Sequence, residues 1–252
     1  MKMLRNRYLQ SSVALIALVF LLQVTPALAD SNPNPGVLPP QSHPHGRTYG
    51  EWNASWWQWL FSVPASENPV LATNGAVDCT VGQSGNVWFL AGYLVKAGDG
   101  IGPFTFTRSC TIPAGKALFI PILNAWEDNV CNSPPVTLDQ LRAFAAGMVT
   151  PPTNLHASID GHSLTSLESY RAISPVFSYT LPPPTDNVIF QLFGTRIPGD
   201  CGTTSSTVQG AVADGFYIML TPLTPGSHRI EFGSTGPTGF TLDVTYNLTV
   251  GS

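Results

Sequence analysis

Basic side chains are scarce in this 252-residue chain, and lysine is nearly missing: beyond position 29 only Lys96 and Lys116 remain. From Asp30 onward eight lysines and arginines stand against fifteen aspartates and glutamates, a formal charge of −7. Such a surface excludes nucleic acid as a partner, because phosphate binding is built from grouped cations. Other absences narrow the chemistry. No CxxC spacing occurs, which argues against a zinc centre or a dithiol redox site. No G-x-S-x-G elbow supports a serine nucleophile, and no D-x-D-x-D-G loop supports an EF-hand. The longest apolar run, Val13 to Leu22, has ten residues, too few to cross a bilayer comfortably.

That run belongs to a segment that reads as a secretory signal over residues 1–29. Lys2, Arg5 and Arg7 give a positive start, Pro26 breaks the helix, and Ala27-Leu28-Ala29 supplies the small-x-small cleavage site. Asp30 stands where a lipoprotein would need cysteine. No transmembrane anchor is therefore expected after cleavage, and the mature protein belongs in a periplasm or outside the cell. Cys79, Cys110, Cys131 and Cys201 then default to two disulfides in an oxidising compartment. Of three pairings, Cys79 with Cys110 is favoured, because the residues between them read as a hairpin that returns its ends together. Cys131 is left with Cys201.

Residues 30–46 carry five prolines and little periodic hydrophobicity, and read as an extended leader. The remainder, 47–252, is long enough for one large domain. It opens on the densest aromatic stretch of the chain, YGEWNASWWQWLFSV, with four of the six tryptophans within eight residues. Thr48 and Glu51 fit a capping box and Pro64 stops the helix they begin. At 100° per residue Trp52, Trp56, Trp59 and Val63 share a narrow arc, as a core-facing helix requires. Trp57 falls off that arc and is the tryptophan of this segment most open to a functional role. Thr137 and Gln140 fit a second capping box, with Leu138, Leu141, Phe144, Ala145 and Met148 at helical spacing before Pro151.

Elsewhere short runs rich in β-branched and aromatic residues alternate with turn signals. Strands are predicted at Val87 to Leu94, Phe104 to Ser109, Ala117 to Ile122, Leu155 to Ile159, Val176 to Leu181, Val188 to Phe193, Gly215 to Leu220, Ser227 to Phe232 and Phe240 to Val250. In the last, apolar residues from Phe240 to Val250 alternate strictly with polar ones, the mark of a half-buried antiparallel strand. The fold class is mainly β: an antiparallel β-sandwich or jelly roll with two or three peripheral helices.

The strings YGEWNASWWQWLFSVP, GQSGNVWFLAG, CTIPAGKALFIPILNA, ADGFYIMLTPLTPGSHRIEFG and VTYNLTV, spread over nearly all of the mature chain, resemble a family of secreted bacterial hypothetical proteins. The resemblance implies a coherent secreted domain and brings no activity, ligand or catalytic residue with it.

For chemistry, the clearest cluster is Trp126-Glu127-Asp128-Asn129, which follows a predicted strand and so belongs on a loop at a sheet edge. With Trp57, Trp88 and Asn124 it supplies the aromatic platforms, amide and carboxylates that a glycan or another cell-envelope ligand would use. The ligand-binding set is thus Trp57, Trp88, Asn124, Trp126, Glu127 and Asp128. An adhesion or structural protein without a small-molecule site is the first alternative. A polysaccharide hydrolase or lyase is the second, drawing two carboxylates from Glu51, Glu127, Asp128 and Asp160. His43-Pro44-His45 lacks a third ligand, His156 and His162 flank a turn, and His228 fits a core edge, so no metal and no cofactor are expected.

Overall fold

The computed structural model describes residues 32–96 and 98–251, which fold as one unit. The expected signal segment, 1–29, lies outside them. Twelve strands run in chain order as β1 (Val37–Leu38), β2 (Gly75–Ala76), β3 (Val87–Phe89), β4 (Phe104–Ile112), β5 (Ala117–Glu127), β6 (Thr153–Ile159), β7 (His162–Ser163), β8 (Arg171–Ile173), β9 (Phe177–Thr180), β10 (Thr207–Leu220), β11 (Gly226–Thr235) and β12 (Thr241–Val250). They build two sheets. The first has the order β1-β10-β5-β3, with β8 and β9 also paired to β10; the second has the order β2-β4-β12-β11-β6-β7. Three helices, α1 (Tyr49–Ser62), α2 (Leu138–Val149) and α3 (Val188–Phe193), complete a sandwich-like β fold.

The strand arrangement is mixed. β12 pairs antiparallel with β11, as the hairpin PGSHRIEF to VTYNLTV predicts, but parallel with β4 along Leu242 to Val250. Its alternation is realised: Leu242, Val244, Tyr246, Leu248 and Val250 are all buried. β5 behaves differently, with every residue from Ala117 to Leu123 buried, so both of its faces are covered. On one face Phe119 stacks on Tyr217 and meets Tyr49 of α1. Toward the second sheet, Ser234 Oγ of β11 donates to the Ile122 carbonyl.

α1 begins as its capping box predicts. The Thr48 hydroxyl accepts from Glu51 N at 3.2 Å, and the Glu51 carboxylate accepts from Thr48 N at 2.7 Å. Burial then extends further round the helix than the tryptophan arc implies. Trp57, Leu60 and Phe61 have no exposed surface, nor does Asn53 on the same helix. The cause is contact on several sides. Trp56 Nε1 donates to the Leu90 carbonyl at 2.8 Å and Trp59 Nε1 to that of Val81 at 3.0 Å, while Asn53 Nδ2 reaches Ala172 O of β8 at 2.8 Å. Gly50 permits the approach to β8, since a β-carbon there would run into the Ile173 carbonyl.

Three expectations change. The segment 188–193, read as a strand from its apolar and β-branched content, is α3: the Asn187 side chain caps Phe190 N at 2.9 Å and Gly194 closes the helix at φ 70°. The leader is not simply extended. It packs on the domain through β1, which pairs with β10, and through buried Asn34, whose Oδ1 accepts from Thr165 N at 2.8 Å. Both disulfides join the favoured partners, Cys79–Cys110 and Cys131–Cys201. The first is not closed by a hairpin; β2 runs parallel beside β4, and Val77 N donates to Ser109 O at 2.9 Å, which brings the flanking cysteines together.

Candidate functional site

β5 leaves the buried sheet at its far end, where Leu123, Asn124, Ala125, Trp126 and Glu127 continue into Asp128. There the wall of α1 at Trp57, the end of α3 at Leu192 and Phe193, Met148 of α2, and Phe240 before β12 enclose a cavity of about 590 Å³. Tyr93 to Val95, with Gly100 and Ile101, form its remaining side. The lining is mostly apolar and aromatic. Five residues of the sequence-derived set meet here, Trp57, Asn124, Trp126, Glu127 and Asp128. Trp88 does not. It sits half-buried on β3 under the Lys116 ammonium, 5.6 Å from the ring centroid, and is not part of the cavity wall.

Trp57 leaves the arc of its neighbours, which makes it the tryptophan of α1 most open to a functional role. It is fully buried, stacked on Phe61 at 5.4 Å and tilted by 43° against Trp126 at 4.9 Å between ring centroids. Its ring forms the back wall of the cavity and is not an exposed platform. Trp126 is the more accessible indole. It packs between Trp57, Phe61 and Phe193, and its Nε1 donates to Asp128 Oδ2 at 3.2 Å.

The two adjacent carboxylates differ in surroundings. Asp128 Oδ2 also accepts from the Tyr179 hydroxyl at 2.8 Å, and Oδ1 accepts from Val130 N at 2.9 Å, so Asp128 is an anchor that fixes the ring of Trp126 and the turn after β5. Tyr179 is held well above the usual phenol range, first by burial and then by the negative charge of Asp128. The Glu127 carboxylate has neither a hydrogen bond nor an ion-pair partner among the described residues. Burial, followed by repulsion from Asp128, raises its pKa above the ordinary carboxylate value.

Behind the wall lies a polar knot. The Tyr217 hydroxyl donates to Asn53 Oδ1 at 2.7 Å, and Trp57 Nε1 and Asn124 Nδ2 turn toward the same hydroxyl without completing a hydrogen bond to it. Burial pushes the Tyr217 pKa up, while these two donors act in the opposite direction. Among the described residues neither donor has a hydrogen-bond partner within bonding geometry.

No family model matches this chain, and no curated protein does. Among solved structures it is similar to a chain described as PbICP-C in complex with falcipain-2, at 11% identity, over 66% of this chain and 99% of that one, with a TM-score of 0.25. A likeness that slight carries no argument about activity.

The carboxylates proposed for hydrolysis do not converge. Glu51 is spent on the α1 cap, and Asp160 accepts from His228 Nδ1 at 2.7 Å and from Arg229 N at 2.7 Å at another part of the fold. Only Glu127 and Asp128 share the cavity, and Asp128 is already engaged. Among the described residues no group of three or more His, Cys, Asp or Glu is placed to hold a metal, and no helix is long and apolar enough to cross a membrane. The cavity residues missed in sequence, Tyr93, Leu123, Met148, Leu192, Phe193 and Phe240, come from five separate segments. One signal was legible: Asn187 and Gly194, spaced as helix caps, bracket the segment that delivers Leu192 and Phe193.

Proposed function

We propose that this protein is a secreted binding protein that takes up a mostly apolar small molecule in the cavity beside Trp126. The carrying observation is the cavity itself: about 590 Å³, within the range of small-molecule sites, lined by apolar and aromatic residues with a few polar groups. Two disulfides and the signal-like first 29 residues support an oxidising, extracytoplasmic setting. A glycan fits these walls poorly, because sugar stacking needs exposed aromatic faces, whereas Trp57 is fully buried and Trp88 is elsewhere. A purely adhesive role would leave this cavity without use, and the engaged state of Asp128 weakens a two-carboxylate reaction.

The test is a titration with the neutral apolar probe N-phenyl-1-naphthylamine, followed by probe fluorescence and by tryptophan emission. Saturable binding that weakens at least tenfold on filling the cavity by Ala125→Phe is the expected result. Binding that is absent, or indifferent to that change in a folded variant, would sink the proposal.

A further inference from the structure

The charge of the cavity is one-sided. Glu127 and Asp128 line it together with Trp57, Tyr93, Trp126, Phe193 and Phe240, and among the described residues no lysine, arginine or histidine does. Aromatic faces attract cations through their quadrupole, and a carboxylate without a partner beside them adds an opposite charge. Asp128 has both oxygens occupied by Trp126, Tyr179 and Val130, so the carboxylate free to meet a ligand is that of Glu127. An anion would enter against two acids and gain no cation. A neutral ligand would leave Glu127 half-buried and unpaired, the costliest state for such a group.

Resting on the cavity being a ligand site, we propose that its ligand is a monocation with an apolar body, an alkylammonium or arylammonium group paired with the Glu127 carboxylate and flanked by the aromatic wall. The apolar body has a matching surface at the mouth, where Ile101, Met148 and Phe193 line the cavity and are also about half exposed to solvent. The raised pKa of Glu127 agrees with an acid that lacks its counter-charge in the free protein. A bound cation would draw that pKa down, so binding of the cation and release of the Glu127 proton are linked.

The experiment compares benzyltrimethylammonium with neopentylbenzene, in which carbon replaces the charged nitrogen at nearly constant shape, and with benzylsulfonate as the anion. Calorimetry or ligand-observed NMR on the full mature protein supplies the affinities. The ammonium should bind at least tenfold more tightly than the neutral isostere, and the sulfonate should not bind detectably. In Glu127→Gln, with an unchanged unfolding midpoint, the preference should fall close to unity while the neutral isostere binds as before. Equal affinities in the parent protein, or a preference that survives Glu127→Gln, would overturn the cationic assignment. If the neutral isostere binds as well as or better than the ammonium, only that assignment falls. If N-phenyl-1-naphthylamine also fails to bind, the cavity reading falls with it.

Discussion

The ring of Trp126, at the end of β5, lies 4.9 Å from that of Trp57 on α1, with 43° between the two planes. One indole belongs to the densest aromatic segment of the chain and the other, some seventy residues later, to the end of β5 itself and not to the loop expected after a shorter strand, so this contact joins the anchor of the fold to the wall of the cavity. Asp128 holds the pair in place from the other side, through Trp126 Nε1 and the Tyr179 hydroxyl.

Removing that anchor should have a local and measurable cost. Asp128→Ala leaves the buried Tyr179 hydroxyl and the Trp126 indole N–H without their acceptor, and is expected to lower stability by about 1–3 kcal/mol in urea unfolding. Tryptophan emission should shift as Trp126 loosens, whereas Asp139→Ala in the exposed first turn of α2 should leave emission unchanged.

Trp57 should matter to stability as much as to binding. Trp57→Ala opens a void among Trp56, Phe61 and Trp126 and is expected to destabilise by about 3–5 kcal/mol. Trp88→Ala, on the half-buried face of β3, should leave probe affinity unchanged. Loss of probe binding in a folded Trp88→Ala protein would contradict the placement of the site.

Much of this arrangement was legible in the sequence and part was not, for definite reasons. Capping boxes at Thr48 and Thr137 and the alternation of Phe240 to Val250 are local signals, and each appears where predicted. Residues 188–193 misled because five apolar residues around Gln191 satisfy a strand run and a two-turn helix equally, and only the caps Asn187 and Gly194 separate the two. The helical wheel of α1 assumed one buried side. Contacts from β8, β9 and the 81–90 segment that contains β3 surround the helix, so Asn53 is buried for reasons that no periodicity carries. The cluster Asn124 to Asp128 was recognised by residue type, and its walls, drawn from distant segments, could not be.

Arg108 is a second case that composition hides. Its guanidinium is fully buried and has no carboxylate partner among the described residues; it donates to the carbonyls of Ala72, Thr73, Ala91 and Gly92 and to the Tyr246 hydroxyl. It clamps β4 to the segments before β2 and after β3. Arg108→Met keeps the stem volume and strips these bonds, so a loss of about 1–3 kcal/mol for each buried carbonyl left without a donor is expected. A thermal midpoint within a degree of the parent would refute the clamp.

His228 should give the fold a pH-dependent edge. Its Nδ1 faces Asp160 Oδ2 at 2.7 Å and its Nε2 faces the Thr224 carbonyl at 2.8 Å, so both nitrogens donate only when the ring is charged. Burial opposes that charge, but Asp160 and the Thr224 carbonyl prevail and raise the pKa above 6.5. The contribution is therefore full below pH 6.5 and lost as pH rises through the raised value. Asp160, despite its own burial, is held below 3.8 by Arg229 N and His228, so its share is present above that pH and lost as pH falls through the lowered value. Stability measured by urea titration should show this excess between roughly pH 4 and 6.5, relative to His228→Gln. Parallel pH profiles for the two proteins would contradict it.

Each disulfide closes a long loop. At sequence separations of 31 and 70, Cys79–Cys110 and Cys131–Cys201 should contribute about 3.7 and about 4.4 kcal/mol in a chain-entropy account. Cys131 also lines the cavity, so a Cys131→Ser, Cys201→Ser protein should lose probe affinity as well as stability. A Cys79→Ser, Cys110→Ser protein should lose stability alone, as read by unfolding and probe titration side by side.

The most direct measurement is a crystal structure of the mature protein with N-phenyl-1-naphthylamine bound. Ring density within contact distance of Trp126, Leu123 and Phe193 is the predicted result. Density confined to the exposed face of α2 at Phe144, with the space beside Trp126 filled by ordered water alone, would contradict the assignment of the ligand site.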